Sequence, residues 1–143
     1  FGQPDLKDEN MRALFTFLFN SLSTAHASFK SRTYTTPLEN QLKQLHLEIS
    51  NSLDQKHSIA RCAKQLNISE SYFQLIYKKL FGISFQQDLI LMRVTRARFN
   101  LSTSNLSLSQ IAELCGYNNE VHFYRQFKKL TGVTPAYYRE HPF

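Results

Sequence analysis

The chain has 143 residues with 17 Lys and Arg against 11 Asp and Glu, which gives a formal net charge of +6 at pH 7. Its hydrophobic content of 42% suffices for a packed core and excludes intrinsic disorder, while two cysteines are too few for a disulfide scaffold and favour a reducing cytoplasm. No stretch approaches the ~20 apolar residues that a membrane span requires, so we predict no membrane association.

The first predicted element is an amphipathic helix over residues 7–29. Met11, Leu14 and Leu18 recur at helical spacing, and the phenylalanines beside them widen the apolar stripe. One helix cannot bury so wide a stripe alone, so it belongs to the end of a sensor domain, to a dimerisation contact, or to a lid on the domain that follows. Residues 1–35 are therefore predicted to be a helical segment with a linker, and because the chain does not begin with Met, we expect a further domain upstream.

The rest of the chain is punctuated by helix start and stop signals. Thr36 is an N-cap residue, followed by a proline at the first helical position and by Glu39 at the third, which is a capping box. An apolar stripe at helical spacing then runs to Leu53, and Gly82 and Gly132 stand where later helices should end. Because no stretch alternates with period two, we predict an all-α fold. Further helix starts are predicted at Ser58, Ser69, Ser84, Ser107, Asn119 and Thr134, with capping boxes at Ser84 and Ser107.

An internal repeat is the strongest signal in the sequence. Residues 58–63 match 107–112 at an offset of 49, and after one inserted residue 70–82 match 120–132 at an offset of 50. Each copy reads as a short helix with an alanine in its middle, a tight turn, and a second helix that ends in Lys-Lys-Leu-x-Gly. This is the helix-turn-helix layout, in which the second helix enters a DNA major groove. A generic helical hairpin with a lysine-tipped end is the alternative for one copy, and the duplication favours DNA binding.

A long motif runs through the second copy and past its end. It consists of Ile111-Ala112, Gly116-Tyr117, Phe123, Phe127-Lys128-Lys129, Gly132, Thr134-Pro135 and Tyr138-Arg139. This motif resembles the signature of the AraC/XylS family of bacterial transcription regulators, and the first copy follows that family's looser upstream pattern. The resemblance covers about residues 38–139. It departs at Tyr77 and Tyr117, where the family usually has Phe, so the two added hydroxyls need partners or solvent.

The resemblance implies a DNA-binding domain at 36–143 made of two helix-turn-helix subdomains, at 58–82 and 107–132, joined by a linking helix at 84–102. A helix of that length is roughly 28 Å long, close to the ~34 Å between successive major-groove faces of a duplex. One monomer would then insert both second helices into the same side of double-stranded DNA. If the grooves did not line up on straight DNA, the duplex would bend.

The family's biology supplies further expectations. The resemblance implies transcription regulation, usually activation through contact with RNA polymerase, although repression is equally compatible with the residues. Family members often have a ligand-sensing, dimerising domain upstream. This implies a small-molecule effector and a homodimer formed through the N-terminal segment.

Base contacts are expected on the outward faces of the two second helices. Gln74 can bond adenine through two hydrogen bonds, whereas Leu75 can only pack against a thymine methyl or a sugar. Arg125 is the best candidate for guanine, with a phosphate or an intramolecular carboxylate as its alternative partner. Glu120 can accept from cytosine or simply favour the start of its helix. By the resemblance, the base-contact candidates are Ser71, Gln74, Leu75, Glu120, Val121, Tyr124 and Arg125.

Phosphate contacts are expected from the remaining basic and helix-start residues, because these position a protein on DNA without reading sequence. For each of them a solvated surface charge is the alternative. The phosphate candidates are Arg61, Lys64, Lys78, Lys79, Arg96, Arg98, Ser109, Gln110, Lys128 and Lys129.

No catalytic or metal constellation is present in the sequence. Cys62 and Cys115 occupy apolar positions of the repeat, and the five histidines are scattered without ligand spacing to either cysteine. There is also no glycine-rich phosphate loop. We therefore predict a cytoplasmic protein that is not an enzyme and has no cofactor or metal. The rival prediction is a helical protein-interaction module that keeps the fold but has lost DNA affinity.

Overall fold

The computed structural model describes residues 36–142. The helix predicted at 7–29 and the linker that follows it lie outside the described residues. Regular structure in the described residues is helical throughout, which confirms the all-α prediction. The helices are α1 Pro37–Asn51, α2 Ile59–Gln65, α3 Glu70–Phe81, α4 Phe85–Thr103, α5 Leu108–Leu114, α6 Glu120–Thr131 and α7 Pro135–Glu140.

The described residues divide into two compact units, 36–93 and 94–142. The division falls inside α4, which begins in the first unit and ends in the second as one 19-residue helix. This helix runs one residue later at each end than the predicted 84–102. In the first unit α2 packs on α3, and in the second α5 packs on α6, which in turn packs on α7.

Side-chain caps begin the helices where the start signals predict them. At each of seven starts, a side-chain oxygen accepts the backbone N–H three residues later, at 2.7–3.3 Å. Ser107 forms the full reciprocal box, because the Gln110 side chain also accepts the Ser107 backbone N–H at 2.9 Å. The box predicted at Ser84 is different, since Gln87 Oε1 accepts from the Ser84 hydroxyl at 3.0 Å. Gly82 and Gly132 end their helices with φ of 74° and 79°, as predicted.

The first helix is shorter than its apolar stripe. Leu42, Leu45 and Ile49 are buried on one face of α1, as predicted. The helix ends at Asn51, so Leu53 lies beyond it rather than on the same stripe. Leu53 is nevertheless buried and joins the core of the first unit. The spacing pattern therefore predicted the burial of Leu53 correctly, but its prediction that Leu53 belongs to the helix was wrong.

The turn inside each helix-turn-helix has the same geometry. In the first unit Asn67 has a φ of 57°, and the N–H of Ile68 donates to the carbonyl of Ala63 at 3.0 Å. In the second unit Gly116 holds the corresponding position with a φ of 87°, and the equivalent hydrogen bond is 2.9 Å long. Left-handed backbone is easy for Gly and tolerable for Asn, so different residues give the same turn. The repeat seen in the sequence therefore extends to the backbone.

Aromatic rings fill both cores. In the first unit Phe73 and Tyr77 each lie edge-on to Phe85, with ring centroids 5.4 Å apart. In the second unit Phe127 lies between Phe123 and Tyr138, at 5.8 and 5.6 Å. The two cysteines are buried in these cores, in agreement with their apolar positions in the repeat.

Candidate nucleic-acid interface

The second helix of the first helix-turn-helix is α3, and its orientation is fixed by two fully buried rings. Phe73 and Tyr77 face the core, so the opposite face of the helix points to solvent. The predicted base-contacting residues Ser71, Gln74 and Leu75 are all exposed on that outward face. Leu75 is 65% exposed, which makes it a large apolar side chain held out in water.

Paired lysines end α3 and also α6, which is the second helix of the second helix-turn-helix. Lys78 and Lys79 lie in the last turn of α3, and Lys128 and Lys129 in the last turn of α6. All four are exposed. Cations here interact favourably with the negative end of the helix dipole, so these lysines can stabilise their helices as well as attract a polyanion.

Helix α6 repeats the arrangement of α3 with different side chains. Phe123 and Phe127 are fully buried, and the opposite face is exposed. The predicted contact residues on that face are Glu120, Val121, Tyr124 and Arg125. Because 70–82 and 120–132 correspond at an offset of 50, Arg125 occupies in α6 the place that Leu75 occupies in α3. The buried faces of α3 and α6 therefore match, while the side chains on their exposed faces differ in chemistry.

The predicted phosphate-contacting residues outside α3 and α6 have different surroundings. Arg61 and Lys64 are exposed on α2, and Arg61 Nη1 donates to the carbonyl of Lys56 at 3.3 Å. Arg96 is exposed on α4. Arg98 faces inward, since its Nε donates to the Tyr138 hydroxyl at 3.2 Å and its guanidinium lies 5.5 Å from the centre of that ring. Arg98 thus has a structural partner in the second unit.

Ser109 and Gln110 are exposed in the first turn of α5. The Gln110 side-chain oxygen is engaged in the capping box with Ser107. Only its amide nitrogen is therefore available for the predicted phosphate contact, whereas the Ser109 hydroxyl has no such cap role.

A buried polar cluster in the first unit was not predicted from the sequence. The Tyr77 hydroxyl and His46 Nε2 both donate to Asp88 Oδ2, at 2.6 and 3.0 Å, and the His46 ring stacks on Phe81. Burial raises the pKa of Tyr77, and the neighbouring Asp88 carboxylate raises it further. The only sequence signal was the Tyr at a position where Phe is usual. Its partners lie on α1 and α4.

The second unit holds a similar unpredicted contact. The Arg139 guanidinium donates to the carbonyl of Leu106, in the segment between α4 and α5. Together with the Arg98–Tyr138 bond, this contact joins α7 both to α4 and to the segment that follows α4. Arg139 matched the family motif, but nothing in the motif indicated its partner.

The surroundings of Cys62 do not activate it as a nucleophile. Burial raises the pKa of the Cys62 thiol, with Arg61 opposing, and a raised pKa disfavours the nucleophilic thiolate. Among residues 36–142 there is no group of three His, Cys, Asp or Glu side chains that could hold a metal ion. None of the helices in this range is both long and apolar enough to cross a bilayer.

Known proteins that resemble this chain share its helix-turn-helix domain. A family described as "Helix-turn-helix domain" matches residues 62–141, more than half of the chain. The raffinose operon transcriptional regulatory protein RafR of Pediococcus pentosaceus is 39% identical over 75 residues, 52% of this chain and 27% of that protein. The C-terminal domain of the two-component response regulator yesN from Fusobacterium nucleatum is 31% identical, with a TM-score of 0.67 over 70% of this chain and 98% of that one.

A solved structure with bound nucleic acid is also similar. The DNA-binding domain of the global transcriptional factor AdpA, crystallised with a target DNA, is 27% identical with a TM-score of 0.68. The match covers 70% of this chain and 90% of that domain. The chain spans 13–39% of the length of three curated regulators that it matches, RafR among them.

Proposed function

The chain belongs to the AraC-type helix-turn-helix family of DNA-binding transcription regulators, and from that premise we propose that it binds one duplex sequence-specifically by inserting α3 and α6 into successive major grooves. The observation that carries the proposal is the duplication of the second helix of the helix-turn-helix, which is α3 in the first unit and α6 in the second. Both copies bury an aromatic pair on one side, expose hydrogen-bonding and apolar side chains on the other, and end in two exposed lysines. Such a face can contact base edges while its lysines contact phosphates.

The length of α4 supports the use of two grooves. This helix is continuous over 19 residues, which corresponds to roughly 28 Å at 1.5 Å per residue. Successive major-groove faces on one side of a duplex are ~34 Å apart. In the proposal this one continuous helix, shared by both units, links the two helices that enter neighbouring turns.

The base and phosphate contacts are assigned by exposure. In the proposal the outward residues of α3 and α6 contact bases, and Arg125 makes the main contact with guanine. Arg61, Lys64, Arg96 and the four helix-end lysines contact phosphates, joined by Ser109 and the amide nitrogen of Gln110. Arg98 acts chiefly inside its own unit, because it is already bonded to Tyr138.

Activation of transcription is the regulatory role that we propose. A relative from Cronobacter sakazakii named as the HTH-type transcriptional activator RhaR is 30% identical over 99 residues. An activator of this kind would contact RNA polymerase and act in the bacterial cytoplasm. Effector binding and dimerisation would belong to segments other than 36–142.

Selection from random duplexes followed by a salt titration tests the proposed function. The chain should enrich a defined sequence, and its affinity for that sequence should fall steeply with salt as counterions are released. About six phosphate contacts would weaken binding about a thousandfold between 50 and 200 mM salt. A matched duplex of scrambled sequence should bind more weakly but with a comparable salt slope. Failure to enrich any sequence, or binding that is insensitive to salt, would favour a protein-interaction module.

A further inference from the structure

Leu75 lies at the centre of the outward face of α3. It is two residues from each of the buried rings, Phe73 and Tyr77, and two residues correspond to a rotation of about 200° around a helix. Its side chain therefore points almost directly away from the core, in agreement with its 65% exposure. Lys78 and Lys79 follow one turn later on the same side.

An apolar side chain in this place has one apolar partner among the base edges of a major groove, whereas packing on a sugar would carry no base preference. Base edges there present hydrogen-bond donors and acceptors, and the C5-methyl of thymine is the apolar group they display. The Leu75 side chain has no hydrogen-bond donor or acceptor, so it cannot form hydrogen bonds with the polar edges of guanine, cytosine or adenine. Packing against a methyl removes apolar surface of both groups from water.

We propose that Leu75 selects thymine by packing on its methyl group, while Arg125 at the corresponding place in α6 selects guanine. The operator then has two unlike half-sites, one specified through a methyl contact and one through hydrogen bonds. This inference rests on the proposed function, because it requires α3 to enter a major groove. What it adds to that function is the base that each unit selects and the kind of contact that selects it.

The first arm of the test changes only the DNA. A duplex selected by the wild-type chain is prepared with each thymine replaced in turn by deoxyuridine, which lacks the methyl and keeps every hydrogen-bonding group. One position in the half-site bound by the first unit should lose affinity about fourfold, the value for one buried methyl-sized group. Equal affinity for thymine and uracil at every position would overturn the inference.

The second arm assigns the effect to Leu75. Leu75→Ala should abolish the thymine-over-uracil preference, and Leu75→Arg should move the preferred base at that position from thymine to guanine. Arg125→Ala is the matched control, and it should keep the thymine-over-uracil ratio of the wild type. Both positions are exposed, and unchanged helix content and unfolding midpoint would exclude misfolding as the cause.

The outcomes separate the inference from the proposed function. If Leu75→Ala keeps the wild-type thymine-over-uracil ratio while salt-sensitive binding persists, Leu75 does not contact the methyl and the proposed function stands. If the wild-type chain selects no duplex at all, the proposed function fails and the inference fails with it.

Discussion

The Tyr77 hydroxyl donates a 2.6 Å hydrogen bond to Oδ2 of Asp88, which joins α3 to the start of α4. Asp88 is only 6% exposed, so its carboxylate depends on protein donors. His46 Nε2 supplies a second donor from α1. One carboxylate oxygen thereby ties together three helices that are separate in sequence.

Removing the Tyr77 hydroxyl should destabilise the first unit. Hydrogen bonds to charged groups contribute about 1.5–3 kcal/mol, so we expect Tyr77→Phe to lower the free energy of unfolding by that amount in urea titrations. Tyr72→Phe on the same helix is the control, because Tyr72 is 46% exposed and its change should stay within about 0.5 kcal/mol. Equal stability of Tyr77→Phe and wild type would contradict a stabilising role for this bond.

The raised pKa of Tyr77 predicts that the protein is less stable at alkaline pH. Burial and Asp88 raise the pKa of Tyr77 in the folded chain, whereas an unfolded tyrosine has a pKa of about 10. The contribution of Tyr77 is therefore complete below about pH 10 and is lost as the pH rises further, since only the unfolded state then releases the proton. Urea titrations at about pH 9 and about pH 11 should show a larger loss for wild type than for Tyr77→Phe, and parallel losses would refute the prediction.

At Asn67, the left-handed residue in the first turn, we expect Asn and Gly to give the most stable protein. Asn67 is exposed with a φ of 57°, so its replacement removes no packing and acts through the backbone. Asn67→Ala should cost about 1 kcal/mol of unfolding free energy, because a Cβ without a local hydrogen-bonding group disfavours this conformation. Asn67→Gly, which copies Gly116 of the second unit, should be close to wild type. A neutral Asn67→Ala in thermal or urea unfolding would argue against backbone strain at this turn.

Arg125 and Lys129 should differ in how their loss affects DNA binding. Both are exposed on α6. Arg125→Ala should reduce discrimination at one base pair by about 1–3 kcal/mol, whereas Lys129→Ala should weaken all sequences about equally and lower the salt slope by about one. Titrations of both variants against the selected duplex and single-base mismatches distinguish the two effects. A uniform loss for Arg125→Ala would reassign this residue to a phosphate.

Local features of the fold were predictable from the sequence, and distant ones were not. The N-caps and the Gly82 and Gly132 ends depend on residues within one turn, so their positions could be inferred directly. The outward faces of α3 and α6 followed from the spacing of their buried rings. The partner of Tyr77 could not be inferred, because Asp88 lies on another helix and also binds His46, 42 residues from it.

The predicted phosphate set shows the same limit. Charge and helix position suggested a phosphate contact for Arg98, which stays a prediction, but they gave no sign that its Nε donates to the hydroxyl of Tyr138, 40 residues away. Hydrogen bonds of this kind depend on tertiary packing, which a short motif does not encode. The base-contacting set, in contrast, needed only helical periodicity to be placed on one face, and its contacts with DNA stay a prediction.

The opposed faces of α3 have an evolutionary consequence. Phe73 and Tyr77 anchor the helix from one side, so substitutions at Gln74 or Leu75 on the other side leave the anchor untouched. Under the proposed function, proteins that share this scaffold can therefore change their target DNA sequence by substitutions on this face while the buried anchor stays intact. Duplication doubles that freedom, because one unit can retain its ancestral preference while the other drifts.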